Sequence, residues 1–219
     1  MKSNSVIYFR CQGYCRLNAF IATQAPVPNT FEDFWRMIWE QKSSVIVMLT
    51  REEEGGKVKC HRYWPSDGTR IFDNVLVELS EEVSYSDYVM RQFSVTHTEE
   101  KEVRIVRQYQ YMDWPDIGLP ESGVGVIDLI GQIEKWQQQS CNSMITVHCS
   151  GGVGRTGVFC AVSILIERVK AEGIIDVFQT VQSLRLQRPA MVQTIEQYEF
   201  CYSTLQEYLD SFDLYANFQ

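Results

Sequence analysis

A chain of 219 residues with 45% hydrophobic and 22% charged side chains is long enough for one globular domain with a substantial core and short for two. Its formal net charge of −8 excludes nucleic acid as the main partner, since no basic stripe exists to neutralise a phosphate backbone, while a single anion in a local pocket stays compatible. No apolar run approaches the roughly 20 residues that cross a bilayer and the start lacks a signal-peptide core, so no membrane insertion by this chain is expected; seven cysteines, at 11, 15, 60, 141, 149, 160 and 201, are odd in number and lack metal-ligand spacing, which predicts reduced thiols, a cytoplasmic setting and no metal.

In chain order, Val6-Ile7-Tyr8-Phe9 reads as an edge strand and Phe20-Ile21-Ala22 as another, ending at Pro26 and Pro28. Thr30 is placed to cap a helix running to about Gln41, with Phe31, Phe34, Trp35, Ile38 and Trp39 on one stripe that packs into a core. Ser44 to Leu49 is short, apolar and β-branched, as a central strand buried on both faces should be. The segments 58–64, 72–82, 88–98 and 103–112 are strand-like, separated by Ser66-Asp67-Gly68 and by charged turns, and predict an antiparallel portion joined to the central sheet. Val126, Leu129, Ile130 and Ile133 form a helical stripe after Gly125, and 144–148 is again a buried strand. Val158 to Glu172 reads as a helix closed by Gly173. Two more helices follow. One starts at Asp176 with Val177, Val181 and Leu184 inward and stops at Pro189; the other starts at Thr194 with Ile195, Tyr198, Tyr202, Leu205 and Leu209 on one face. The fold class is α/β, with a highly twisted mixed central sheet flanked by helices, in a single domain over 1–219.

Between the strand at 144–148 and the following helix lies Cys149-Ser150-Gly151-Gly152-Val153-Gly154-Arg155-Thr156-Gly157. A strand that breaks into a glycine-rich loop and then a helix turns several backbone N–H groups and the positive end of the helix dipole toward one point, which makes an anion site. Arg155 closes the loop with a planar fork that matches two phosphoryl oxygens. A thiol at Cys149, facing that arginine and the helix N-terminus, is in the setting that favours a thiolate nucleophile. An isolated cysteine after a strand is more often a small buried hydrophobe, and a lone glycine-rich loop could bind a nucleotide, but the lysine which that pattern requires is absent. Further along the chain and outside this loop, Asp116 in Trp114-Pro115-Asp116 would pass for a turn former. Thr194 and Gln197 have capping-box spacing, and Glu54 and Lys59 belong to what reads as a solvated hairpin.

The joint pattern His148-Cys149-x2-Gly152-x-Gly154-Arg155-Thr156-Gly157 resembles the signature loop of the protein tyrosine phosphatases, and Trp114-Pro115-Asp116 resembles that family's mobile acid loop. The resemblance covers the chain from about Phe20 onward. It is to the receptor type, and within it to the second, membrane-distal domain of the alpha and epsilon receptors, on Glu167-Arg168-Val169-Lys170-Ala171-Glu172-Gly173, Leu184-Arg185-Leu186-Gln187-Arg188-Pro189 and Tyr215-Ala216-Asn217-Phe218. It implies that Cys149 attacks phosphorus, that Ser150, Gly151, Gly152, Val153, Gly154 and Arg155 bind the phosphoryl oxygens, and that Asp116 protonates the leaving group. Gln193 would place the hydrolytic water, Gln197 and Ile117 border the substrate, and Thr156 assist departure of the thiolate. His148, Glu54, Lys59 and Trp114 would support these groups, with no metal or cofactor needed, because arginine and backbone amides supply the electrostatics. The implied partners are phosphotyrosine proteins and a neighbouring phosphatase domain, and the implied setting is the cytoplasmic part of a membrane receptor. Three positions depart from the family pattern: Gly151 for alanine, Ala25 for glycine and Ile117 for an aromatic. The family's Lys-Asn-Arg-Tyr recognition segment and the Asn-Ala-Ser motif after it are not reproduced in Met1 to Phe20, so one pocket wall is expected to be missing or rebuilt. That departure keeps a second reading open, a catalytically weak regulatory domain that binds a phosphatase domain or phosphotyrosine peptides.

Overall fold

The computed structural model describes residues 7–140 and 144–216, with side chains as far as 211. Val6, Cys141, Asn217 and Phe218, which entered the readings above, lie outside the described residues. Eight strands form one mixed sheet in the order β1-β2-β10-β3-β9-β8-β7-β6. Its parallel centre is β2 (Phe20–Gln24), β10 (Ile145–Cys149), β3 (Val45–Met48) and β9 (Val103–Tyr111). β1 (Tyr8–Cys11) closes one edge antiparallel to β2, and β8 (Tyr88–His97), β7 (Val75–Ser84) and β6 (Thr69–Phe72) continue antiparallel from β9 on the other side.

Alternation along the central strands divides the interior into two cores, as a two-residue period requires. Val45 and Val47 of β3, with Ile145, Val147 and Cys149 of β10, face a core shared with α2 (Val124–Gln139), α3 (Gly154–Glu172), α4 (Val177–Gln187) and α5 (Ile195–Ala216). Ile46 and Met48 face the other core, where α1 (Phe31–Glu40) delivers Phe34, Trp35, Ile38 and Trp39. Each such side chain, once buried, contributes about 1.5–3 kcal/mol. The consequence for the site is that neighbouring residues of β10 point opposite ways, Cys149 toward the base of α3 and His148 toward α1.

Several expectations shift. Among the described residues the first strand begins at Tyr8. Thr30 occupies the first cap position of α1, but its hydroxyl bonds Val27 N and Val27 O rather than the helix. Of the stretch 58–64 only Val58 is in a strand: after the short hairpin β4 (Glu53–Glu54) and β5 (Lys57–Val58), Cys60, Tyr63 and Trp64 are buried one by one under α1, with Trp35 Nε1 donating to Tyr63 O at 2.8 Å. The strand expected at 72–82 is divided by a turn at Asp73 and Asn74 into β6 and β7, Asp73 taking φ +51°. The helix after the glycine-rich loop begins at Gly154 rather than Val158, so Arg155 sits in its first turn. On α5 the buried face is Phe200, Cys201, Thr204, Leu205 and Tyr208, whereas Ile195 and Tyr202 are exposed. The helix rolls this way because α2 and α3 both lie against it, which the apolar spacing alone did not specify.

The start of α3 is locked to the segment before α5 through Gly157. A Cβ added there would lie 2.2 Å from Val192 N and 2.9 Å from Met191 C, both backbone atoms that cannot swing aside. Gly157→Ala should therefore cost about 1–3 kcal/mol of unfolding free energy by overpacking, measured as a lower urea midpoint at unchanged slope. An unchanged midpoint would mean that this contact is slack.

Candidate active site

β10 ends at Cys149 and α3 begins at Gly154, so the four residues between must reverse the backbone above the helix axis. Ser150 O accepts from Ala25 N at 3.0 Å, which ties the loop to the end of β2. Gly152 takes φ +70°, and a Cβ there would meet Thr23 O at 2.1 Å, so only glycine fits this turn against the neighbouring strand. The Cys149 sulfur, 6% exposed at residue level, receives Gly152 N–H at 3.2 Å and the Thr156 hydroxyl at 3.3 Å. Two donors and a helix N-terminus converge on it, an arrangement that stabilises negative charge on sulfur. Burial pushes the thiols of Cys11 up to about 11 and Cys201 up to about 12, and raises Cys60 and Cys160 as well.

Arg155 is held from three sides. Its Nη1 and Nη2 donate to Glu54 Oε1 and Oε2 at 2.7 and 2.9 Å, Nη1 also reaches Leu49 O at 3.0 Å, and Nη2 reaches Pro115 O at 3.1 Å. Glu54, 5% exposed, is placed by a two-residue hairpin turn whose Gly55 and Gly56 both have positive φ, and its Oε1 also accepts Arg51 N–H at 3.1 Å. All four Nη–H groups are thus spent on protein acceptors, and Nε–H is the donor left for a ligand. Far from a solvated hairpin residue, Glu54 is the buried half of an ion pair.

The Trp114 ring lies under Arg155 at 5.6 Å, and its Nε1 donates to Gly118 O at 3.3 Å, which pins the turn carrying Asp116 at both ends. Asp116 Oδ1 pairs with Lys59 Nζ at 3.4 Å, and the carboxyl lies directly over Gly55. At the start of α5, Thr194 Oγ1 accepts from Gln197 N at 3.2 Å, while Gln197 Oε1 accepts from Gln193 N at 2.8 Å. The cap and the amide contact coexist, although the Gln197 amide reaches the residue before Thr194 and so does not complete the reciprocal box.

A cavity of about 180 Å³ opens over the sulfur, lined by Thr50, Glu54, Lys59, Cys149, Ser150, Gly151, Val153, Gly154, Arg155, Gln193 and Gln197. Asp116 stands at its margin through Lys59. Gly152 faces the sulfur and β2 rather than the cavity. Ile117, expected to border the substrate, is 89% exposed and outside the lining, because the pinned turn points it to solvent. None of residues 7–20 lines the cavity: β1 runs antiparallel to β2 and leads the chain away from the loop.

Two supports escaped the sequence reading. Arg188 donates to Ala22 O, and at 3.2 Å to Gly151 O, bracing the loop from α4; a cation buried just before Pro189 was the available signal. Tyr63 links His148 to the sheet. The Cys149 carbonyl can only accept, so His148 Nδ1 at 3.4 Å carries the proton and Nε2 accepts the Tyr63 hydroxyl at 2.9 Å, while Gln108 Nε2 donates to Tyr63 at 2.7 Å. Among the described residues no group of three or more His, Cys, Asp or Glu side chains could hold a metal ion.

Comparison with known proteins gives the family. The family description "Protein-tyrosine phosphatase" matches residues 4–207. The chain is 56% identical over 207 residues to mouse receptor-type tyrosine-protein phosphatase alpha, covering 94% of this chain and 25% of that protein. It is 52% identical to the human epsilon protein over 94% of this chain and 30% of the relative, and 50% identical to the chicken S protein over 93% and 14%. The chain therefore spans a quarter to a third of the length of the alpha and epsilon relatives.

Burial lowers His148 from 6.5 to about 4, so the folded state holds it neutral. Between those values the unfolded chain binds the proton and the folded one does not, so stability should rise with pH from about 4 to 6.5 and stay flat above. The full span corresponds to roughly 3 kcal/mol at 1.36 kcal/mol per unit. Urea unfolding at pH 4.5 and pH 7 should show most of this difference in the native sequence and much less in His148→Gln; equal pH dependence of the two would mean that other groups carry it.

Proposed function

This chain belongs to the protein-tyrosine phosphatase family, and from that premise we propose that it hydrolyses phosphotyrosine in proteins through a cysteinyl-phosphate intermediate. The observation that carries the reading is the convergence of Gly152 N–H and the Thr156 hydroxyl on the Cys149 sulfur, in the cavity that also holds Arg155. In the first step the sulfur attacks phosphorus, the bond to the tyrosyl oxygen breaks, and Asp116 gives its proton to that oxygen, releasing tyrosine. Loop amides of 150–154 and the Nε–H of Arg155 take the charge on the three phosphoryl oxygens, Arg155 exchanging its bond to Pro115 O for a second one to the ligand. In the second step a water placed by Gln193 attacks phosphorus, Asp116 takes its proton, and the S–P bond breaks with its electron pair returning to sulfur, where Thr156 donates to the thiolate. Inorganic phosphate leaves. Lys59 holds Asp116 beside the cavity until substrate arrives, and Glu54 fixes Arg155 so that its edge faces the reacting phosphorus.

The likeness to receptor-type relatives supports a role for this domain on the cytoplasmic side of a membrane receptor, acting on phosphotyrosine proteins and packing beside a neighbouring phosphatase domain. A second reading, a weak regulatory domain, draws on one observation: among the described residues, none of 7–20 lines the cavity.

Phosphate release from a phosphotyrosine peptide decides between them. Cys149→Ser should abolish turnover, and Asp116→Ala should lower kcat by roughly 10²–10⁴ with little change in peptide affinity. Peptide binding with no phosphate release from the unaltered chain would move the assignment to the regulatory reading. Alkylation gives a separate check: iodoacetate should label Cys149 ahead of the four buried thiols Cys11, Cys60, Cys160 and Cys201, and vanadate should protect it. Labelling of Cys149 at the rate of those four, with no protection, would remove the nucleophile from the scheme.

A further inference from the structure

On the α2 side of the sheet a second cavity, of about 240 Å³, shares no residue with the one over Cys149. Its floor is Arg107 of β9, whose guanidinium lies 3.7 Å above the Trp136 ring of α2 and whose Nε donates to Gln92 Oε1 at 3.0 Å. Lys135, exposed and adjacent in sequence to Trp136, stands at the rim. Neither Arg107 nor Lys135 has a carboxylate partner among the described residues, although the chain carries 28 acidic against 20 basic side chains. The walls are tyrosines. Tyr109 sits beside Arg107, and Tyr85 and Tyr88 stack with ring centroids 4.6 Å apart. Burial and its acidic neighbours hold the Tyr88 hydroxyl up to about 12, so it remains a donor at neutral pH. The indole Nε1 of Trp136 is buried without a hydrogen-bond partner among the described residues. Asp87 and Asp128 are near enough to raise Tyr88 but do not line the cavity, whose cations are Arg107 and Lys135.

A stacked guanidinium and a free ammonium, ringed by hydroxyl donors and closed by aromatic faces, match a tetrahedral oxyanion carried on an organic group. We propose that this cavity is an accessory binding site for a phosphate monoester on a peptide side chain, with Arg107 and Lys135 gripping the phosphoryl oxygens. The half-exposed Tyr85 gives the mouth an aromatic lip on which flanking peptide can lie, and free phosphate would leave that surface unused.

The test uses the full chain with Cys149 alkylated, so that the catalytic loop is closed to oxyanions, and reads the Trp136 indole N–H by nitrogen–proton correlation, assigned with Trp136→Phe. The titrants are a phosphoserine peptide, the same peptide without phosphate, and inorganic phosphate. A saturable shift with the phosphopeptide by about 1 mM, weakened roughly tenfold or more in Lys135→Gln and in Arg107→Gln, and absent with the plain peptide, is the expected result. Lys135 is on the surface, so its variant keeps the test valid if Arg107→Gln fails to fold. Saturation by inorganic phosphate as tight as by the phosphopeptide would overturn the assignment to a peptide. No saturable shift, or a shift indifferent to Lys135→Gln, would overturn the site.

Discussion

The buried pair Arg155–Glu54 is the constraint on which the rest of the site depends. An arginine cannot shed its charge, and a guanidinium brought out of water loses several kcal/mol of hydration unless its donors are met. Here Glu54 meets two, Leu49 O a third and Pro115 O a fourth. Those partners come from the hairpin at 53–58, the end of β3 and the turn carrying Asp116, so one side chain on the first turn of α3 draws three separate segments around the mouth of the loop. Removing either partner of a buried pair of this kind typically costs 3–5 kcal/mol, which makes the position of Glu54 a matter of folding as much as of chemistry.

The second constraint is the two-residue period of β10. Because Cys149 and His148 are consecutive, one must face α3 and the other α1, and each needs a different environment. The sulfur meets loop amides and the dipole of a long helix. The imidazole meets the Tyr63 hydroxyl, itself held by Gln108, and the ring of Phe34, with an edge-on contact at 6.1 Å. Burial keeps that ring neutral and its hydrogen bonds fix the proton on Nδ1, so the carbonyl of Cys149 is anchored from behind while its side chain is left to the cavity. The two cores on either side of the sheet thus separate a polar positioning network from the reacting face.

The same separation appears in the distribution of charge. The chain is acidic overall, yet five of its 20 cations stand at three places: Arg155 and Lys59 around the cavity over Cys149, Arg188 beneath the loop, Arg107 and Lys135 beside Trp136. In the first cluster acids are used to hold the cations, with Glu54 on Arg155 and Asp116 on Lys59. In the last cluster none does so among the described residues, and the counter-charge is left to come from outside the chain.

What the sequence determined by itself was local. Hydrophobic periodicity located the two-sided burial of β3 and β10, the α1 stripe and the helix closed by Gly173, because short apolar runs and capping residues act within a few positions of one another. The spacing from Cys149 to Arg155 predicts an anion loop for the same reason, and resemblance implies roles for Asp116, Gln193 and Lys59 that spacing could not suggest. What only the tertiary structure decided was which distant groups share a surface. Glu54 reads as a solvated hairpin residue until the ends of β3 and α3 close over it. Tyr63 reads as part of a strand until α1 takes its carbonyl and His148 its hydroxyl. Ile117 reads as a pocket residue until Trp114 and Arg155 fix the turn and leave it outside, and the apolar spacing of α5 fixes its buried face only once α2 and α3 lie against it. In each case the deciding partner lies dozens of residues away or is set by the packing of neighbouring elements, and the free energy of burial depends on what arrives on the other side, which no window of sequence contains.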